Sequence, residues 1–443
     1  MQTYPLSYLL SSGLLFALAA ESFFRRSQVS RPAYLAVLAT VFVWYIVEPV
    51  YHPGAFTLLP SEDISDSFVS VGIFLISFRL FAPLLAIQQS RHVKSVRAAD
   101  LSNSASELLA VAVSMWGILL VIGIWRMNGN VFASLFPNGR SAAGSMWGRN
   151  AVSTSTAESL LTIAGYLYIL MLATFGVLLV FVKSWKLRLV CILLIAISWP
   201  YAFLSGARNV ALAVVAPGML AFMLYSRASL LLKAVVGIVA FLAVEELFRL
   251  MITYRNIGFF QHETSTVPLK EHLGLDMATE LIMINGFLRE GQLNLQYGLG
   301  YILEAVQLIP RFIWADKPFS SIDYAVLRGF GGNSSVGTGV FATISQGLIG
   351  QGVRQFGTIY GPIATAFIMA GWVRILSKLA VTPSVPRTVL YLMGLGLTFN
   401  MGRDITLLVL WPFLLGYGCI ITYEHVFLQR KKQSLWLIAT PRP

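Results

Sequence analysis

Arg188-Leu-Val-Cys-Ile-Leu-Leu-Ile-Ala-Ile-Ser-Trp-Pro-Tyr-Ala-Phe-Leu-Ser-Gly-Ala-Arg208-Asn-Val-Ala-Leu-Ala-Val-Val-Ala-Pro-Gly-Met-Leu-Ala-Phe-Met-Leu-Tyr-Ser226 decides how the rest of the chain is read. Two apolar runs, at about 188–205 and 210–226, flank the short turn Ser205-Gly-Ala-Arg208. Each run approaches the roughly 20 apolar residues that a helix needs to cross the hydrocarbon core. Basic residues stand at the far ends of both, Lys183, Lys186 and Arg188 before and Arg227 and Lys233 after. The segment reads as a membrane-spanning helical hairpin with Arg208 at its tip. The whole chain has the same character: of 443 residues, 56% are hydrophobic and 12% charged, and mean hydropathy is +0.72. Soluble domains carry about 25% charged residues, so this composition argues for a polytopic membrane protein.

Working outward, further apolar runs fall at about 6–24, 33–51, 68–88, 107–125, 160–182, 229–252, 356–376, 387–402 and 405–427. With the hairpin they make about eleven spanning helices in an all-α fold. The first run lacks a charged segment before it, and Arg25, Arg26 and Arg31 follow it, so it reads as a spanning helix and not a cleaved leader. Cys191 and Cys419 lie in apolar runs, where a thiol behaves as a small hydrophobe, so no disulfide framework is expected. The chain divides into residues 1–253 with eight spans, a large loop at 254–355, and 356–443 with three spans and a tail.

The basic loops alternate. Arg25/Arg26/Arg31, Arg91/Lys94/Arg97, Lys183/Lys186/Arg188, Arg227/Lys233, Arg374/Lys378/Arg387 and Arg430/Lys431/Lys432 form one set. Excess Lys and Arg marks the cytoplasmic side. The N-terminus is therefore expected outside and the C-terminus inside, with the acidic connection Ser61-Glu-Asp-Ile-Ser-Asp66 outside. This outer side nevertheless holds thirteen basic residues, eleven of them arginine: Arg126, Arg140, Arg149, Arg208, Arg249, Arg255, Lys270, Arg289, Arg311, Lys317, Arg328, Arg354 and Arg403. Guanidinium forks match phosphate oxygens bidentately, which gives these arginines a reason to be there. The alternative is that long loops translocate regardless of charge and that some arginines pair with Asp276, Glu290, Asp316 or Asp323.

The loop is long for a connection and too rich in aromatic and aliphatic residues for disorder. Asp276 to Glu290 reads as a short amphipathic helix with Leu281, Ile284 and Leu288 on one face and Glu280 nearby, of the kind that lies at the membrane interface. Ile309-Pro-Arg-Phe-Ile-Trp-Ala-Asp-Lys-Pro318 carries Arg311, Trp314 and Lys317; Trp314 alone could be an interface anchor. Residues 338–350 are apolar but too short to span, which suits a re-entrant or interfacial segment. The glycines of 329–339 have no strand-then-helix context for a phosphate loop. No pattern points to nucleic acid, a zinc site or a dinucleotide fold.

Three further constellations lie at helix ends. Arg208 is either an interfacial anchor or an anion ligand beside the Ser-Gly-Ala amides. Glu245 and Glu246 stand four and three residues before Arg249 and can pair with it, with Arg255 beyond. Phe399-Asn-Met-Gly-Arg-Asp404 places Arg403 and Asp404 where they either cap a turn or face a ligand.

The Ser-Gly-Ala-Arg208 turn, Tyr254-Arg-Asn256, the Ile-Pro-x-x-x-Trp-x-x-Lys-Pro stretch at 309–318 and the late Phe-Asn-Met at 399–401 together resemble Wzy-type polysaccharide repeat-unit polymerases, of the O-antigen and enterobacterial common antigen kind. The resemblance covers roughly residues 200–405, and in this chain Arg403 follows Phe-Asn-Met about a turn earlier than the family's arginine does. It implies a fold similar to the GT-C class of lipid-linked glycosyltransferases, in the bacterial inner membrane. The implied reaction transfers a glycan from undecaprenyl diphosphate to a second lipid-linked repeat unit at the periplasmic face, with no cofactor and no metal. The implied partners are the lipid-linked glycan, the bilayer and a chain-length regulator, with no nucleic acid. In that reading Arg208, Arg255, His262 and Glu280 are the catalytic candidates, His262 preferred as base over Glu263, Glu280, Asp276 and His272 because imidazole titrates near neutrality. Arg249, Arg311, Trp314, Lys317, Arg328 and Arg403 would bind diphosphate or glycan. The rivals are an O-antigen ligase, which shares this layout, and a flippase. Against the flippase, Arg79 is the one clear mid-helix charge and no internal repeat is seen.

Overall fold

The computed structural model describes residues 4–24, 30–51, 53–85, 98–137, 146–147, 156–204, 208–254, 276–306, 309, 313–314, 322–328, 344–381 and 384–423. Every regular element among them is helical. Seven helices are long and apolar enough to cross a membrane: Leu6–Phe24, Arg31–Tyr51, Ser61–Leu84, Ser104–Arg126, Leu160–Phe181, Trp185–Phe203 and Leu348–Val381. Val210–Tyr225, Leu230–Ala240 and Leu410–Thr422 are apolar but shorter. The chain is thus a multi-pass helical membrane protein.

It divides into two compact units, and residues 264–381 of the long insertion and its sequel group with the N-terminal helices. The first unit comprises Met1–Val93, Thr264–Val381 and Leu397–Val409; the second comprises Lys94–Glu263, Thr382–Gly396 and Leu410–Pro443.

In the first unit α1 (Leu6–Phe24), α2 (Arg31–Tyr51) and α3 (Ser61–Leu84) pack with the last long helix of the unit, and α3 is the element both α1 and that helix lie against. Phe68, Val71, Phe74, Leu75 and Phe78 fill the core from α3. Arg79, five residues from the end of α3, is clamped by Glu21 of α1, with Nε–Oε2 at 2.7 Å and Nη2–Oε1 at 2.8 Å. A bidentate partner is what makes an ionised arginine tolerable at membrane depth. Within α2, residues Phe42–Ile46 adopt a π-helical turn. Such bulges rotate side chains out of α-register and recur at functional sites. Here the buried Trp44 and Tyr45 both reach other helices.

The described part of the long loop is mostly helical. It holds α9 (Met277–Arg289), α10 (Leu299–Val306) and α11 (Ile322–Leu327) and leads into α12 (Leu348–Val381). Leu281 and Ile284 of α9 are buried as the amphipathic pattern predicts, but Met277, Ala278, Glu280, Ile282 and Asn285 are buried as well. Sequence periodicity shows one apolar face, whereas α9 is enclosed because it packs against α3 and α12. The interfacial helix expected there is a core helix of the first unit.

α12 is too long for one passage, and Gly357 (φ 82°, ψ 177°) breaks it. Only glycine occupies that backbone region without strain. Gly352 and Gly361 flank the break, and a Cβ on either would collide with the other's backbone. Nine residues apart on a continuous helix would be about 13.5 Å apart, so the arm 348–356 folds back on the helix after it. Sequence reading expects the re-entrant piece at 338–350; of that range only 344–350 is described, and the fold-back arm begins at its end.

In the second unit α4 (Ala98–Arg126), α6 (Trp185–Leu204) and α7 (Arg208–Tyr225) pack on α5 (Thr156–Phe181), and α8 (Leu230–Tyr254) follows. α5 and α7 cross at a glycine pair: a Cβ on Gly218 would stand 3.1 Å from the Gly176 Cα. Small residues at such a crossing let membrane helices approach closely. Trp116 of α4 donates from Nε1 to Ser198 Oγ of α6 at 3.0 Å. α13 (Val385–Met401) and α14 (Leu407–Tyr423) complete the chain.

Candidate functional site: the buried polar end of the first unit

Carboxylates from the spanning helices hold the loop in place. Glu48 of α2 is buried and accepts from the Ala278 backbone N–H at 2.7 Å, from the Thr279 N–H at 3.3 Å and from the Thr279 hydroxyl. These are the unsatisfied first-turn donors of α9, and a carboxylate there also meets the positive end of the helix dipole. The residue before the helix, Asp276, makes no side-chain cap of its own, so α9 is capped by a residue from the membrane helices. Asp63 of α3, also buried, pairs with Arg289 Nη2 at 2.9 Å, and exposed Glu62 takes Nη1 at 2.6 Å. Asn285 Nδ2 donates to Ser67 Oγ at 2.7 Å.

Glu280 is fully buried within this end. Arg328 grips it with Nη2–Oε1 at 2.8 Å and Nε–Oε2 at 3.1 Å, and the Tyr324 hydroxyl donates to the same carboxylate. Burial and the adjacent Glu280 charge push the Tyr324 phenol well up, so it stays a neutral donor. The structure therefore brings two of the sequence-selected residues together as a bidentate ion pair, and neither presents a free charge. Arg354 is the third arginine of this end. It lies on the fold-back arm, is fully buried, and its Nη2 pairs with Asp323 of α11. Its Nε and Nη1 have no partner among the described residues.

The turn after α13 closes the other side of the arm. Leu348 N–H donates to Gly402 O at 2.9 Å, and Gln346 N–H donates to Asp404 Oδ1 at 3.1 Å. Gln351 exchanges two bonds with the backbone of Ile405, at 3.0 and 3.3 Å. From the π-turn of α2, Trp44 Nε1 donates to Phe399 O at 2.9 Å, and the Tyr45 hydroxyl accepts from Ile349 N–H at 2.9 Å. The Arg403 guanidinium lies 5.9 Å from the Trp44 ring, a cation–π distance. Asp404 thus caps the start of the arm, as the turn-cap alternative has it. Burial pushes its pKa up to about 7, and Glu304 of α10 adds in the same direction. Tyr301 of α10 lies in reach of the same charge and approaches Thr365 Oγ1 at 3.4 Å.

On this arm and in the segments beside it four donor nitrogens are buried with no acceptor among the described residues: Arg354 Nε and Nη1 on the arm, Gln346 Nε2 just before it and Arg403 Nε in the adjoining turn. A buried donor without a partner is costly. Two on the arm and two beside it supply donors suited to a ligand whose surface is oxygen, alongside the buried acceptor oxygens of Asn285, Glu304 and Asn400.

Among the other sequence candidates, Arg208 opens α7 and Arg249 lies in α8, both in the second unit. Trp314 is 39% exposed. Arg255, His262, Arg311 and Lys317 lie outside the described residues. Sequence reading passed over Glu48, Arg354 as a site residue, and the Gln346–Gln351–Gln355 series. A glutamate inside the apolar run 33–51 was the available signal for Glu48. No known family model, curated protein or solved structure matches the chain.

Proposed function

We propose that the chain is a Wzy-type polymerase of undecaprenyl-diphosphate-linked oligosaccharide repeat units, with about eleven spanning helices in a GT-C-like arrangement in a bacterial inner membrane. The N-terminus and the α9–α12 end of the first unit would face the periplasm and the C-terminus the cytoplasm. The observation that carries this reading is the group of buried donor nitrogens without an acceptor among the described residues, on Gln346, on Arg354 of the arm and on Arg403 of the adjoining turn. Lipid diphosphates and glycans are dense in acceptor oxygens, and pre-aimed donors stabilise charge that develops on a leaving diphosphate. The polar groups described above gather at one end of the unit, and Arg79, toward the other end of α3, is bound to Glu21. That favours an interfacial enzyme over alternating access.

In the proposed reaction an acceptor hydroxyl attacks the anomeric carbon of the donor glycan. The bond to the diphosphate oxygen breaks, a glycosidic bond forms, and undecaprenyl diphosphate leaves with the electron pair. The hydroxyl proton passes to a base. Glu280 is engaged by Arg328 and Tyr324, so it fits that role poorly. Asp404, with a pKa near 7, suits general-base work and joins His262 as a candidate. Arg208 and Arg255 remain the proposed diphosphate ligands outside the first unit.

The test is complementation of a deletion strain, read on gels of surface polysaccharide. Arg354→Ala and Arg208→Ala should insert at normal level but yield single repeat units instead of long polymer, with Lys restoring either only partly. Normal chain length in both variants would sink the reading. Loss of all surface glycan with repeat units trapped inside would favour a flippase. Transfer to lipid A core in an acceptor assay would favour a ligase.

A further inference from the structure

The second unit contains a cavity of about 810 Å³ lined by α5, α6 and α7, reaching from the Lys183 and Arg227 loops to Ser198 and Val214. That volume lies within the roughly 300–1,000 Å³ of small-molecule sites. Its floor is the Gly176–Gly218 crossing, where the missing side chains leave space as well as closeness. Its wall is apolar, with Leu179, Val215 and Met219 among its lining. Its rim is cationic: Lys183, Arg188 and Arg227 all line it. These three are exposed, and no carboxylate pairs with them among the described residues. Arg188 is held in place by its Nε, which donates to Val182 O at 2.7 Å, leaving both Nη nitrogens for a ligand. Ser226 Oγ, also on the lining, is buried with no partner among the described residues.

An apolar slot open at a rim of three cations and a hydroxyl selects an amphiphile with an anionic head. The same basic loops mark the cytoplasmic side in the topology proposed above, and basic pockets between spanning helices on that side recognise anionic lipid head groups. We infer that this cavity binds one anionic diacyl phospholipid of the cytoplasmic leaflet, its phosphate on Lys183, Arg188 and Arg227 and an acyl chain against Val215 and Leu179. The site belongs to the second unit alone and is separate from the donor-bearing arm, so its test is a binding measurement independent of polymer formation.

The full-length protein is purified in neutral detergent and titrated with phosphatidylglycerol or phosphatidylcholine of identical acyl chains, with native mass spectrometry and thermal unfolding as readouts. Phosphatidylglycerol should be retained and should raise the melting temperature, and phosphatidylcholine should bind at least about ten-fold more weakly. The double variant Lys183→Gln/Arg227→Gln, confined to exposed side chains, should lose that preference by about ten-fold while unfolding like the parent. Val215→Trp, which fills the slot, should lose retention of both lipids. Equal binding of the two lipids, or an unchanged preference in the double variant, overturns the proposal. Retention undiminished by Val215→Trp, or displacement of lipid by inorganic phosphate, overturns it in favour of a head-group contact alone. Displacement by undecaprenyl phosphate at equal concentration overturns it in favour of a polyprenyl lipid.

Discussion

The α9–α12 end of the first unit and the cavity rim of the second hold the same kinds of cation in opposite conditions. In the first unit Arg289, Arg328 and Arg354 each meet a carboxylate: Asp63 and Glu280 are buried as they pair, and Arg354 is itself buried against Asp323. In the second, Lys183, Arg188 and Arg227 stand exposed around an apolar slot. Of the arginines that look anomalous by topology, Arg289 staples the loop to a membrane helix, and Arg328 and Arg354 pair with carboxylates of the loop itself. The lysines and arginines that topology explains completely are the ones left to meet something else. A charge in the wrong place is thus as often answered by an internal partner as by a ligand, and its burial, not its position in the chain, distinguishes the two.

The comparison breaks most readily at the buried pair. Arg328→Ala leaves Glu280 buried and uncompensated and should destabilise the protein by about 3–5 kcal/mol, while Glu280→Met/Arg328→Met should recover most of that loss. Denaturation of both variants in detergent checks this, and a mild single variant would show that Arg328 is free to bind substrate. Next in size, Glu21→Gln should strand Arg79 within the spans and cost about 2.5–3.5 kcal/mol. Adding Arg79→Gln should restore insertion and thermal stability, which a catalytic or transport role for Arg79 would not allow.

A smaller loss, about 1–3 kcal/mol, is expected for Gly357→Ala, because alanine must adopt φ near 82° to keep the fold-back. Protease accessibility around the break would report it, and an unaltered melting temperature would argue for a straight helix through Gly357. The remaining effect depends on pH. Asp404 has its folded pKa raised from 3.8 to about 7, so the folded state binds the extra proton and stability falls as pH rises between those values. Asp404→Asn should therefore match the parent near pH 4 and unfold at a higher temperature than the parent near pH 8. Its Oδ1 still accepts from Gln346 N–H, so a loss at both pH values would mean that the carboxylate is required for packing.

Much of the architecture was legible in the linear order of residues. The apolar runs at 6–24 and 160–182 coincide closely with α1 and α5, and the amphipathic stretch at 276–290 with α9, because a helix in lipid must satisfy its backbone internally and be apolar over its length. Gly357 was not legible as a break, since nothing local distinguishes it from the other glycines of the segment. The pairing of Glu280 with Arg328, 48 residues away, was equally hidden, because sequence spacing constrains partners only within a helix turn or two.

Composition and hydropathy by themselves determined that this is a multi-pass helical membrane protein, since transfer free energies and backbone satisfaction act residue by residue. Which cations are spoken for was decided only by the tertiary structure. Ion pairs such as Glu280–Arg328 and Asp63–Arg289, the cap of α9 by Glu48, and the slot beneath Lys183 and Arg227 exist only where distant helices meet, and the energy of a buried charge depends on those neighbours.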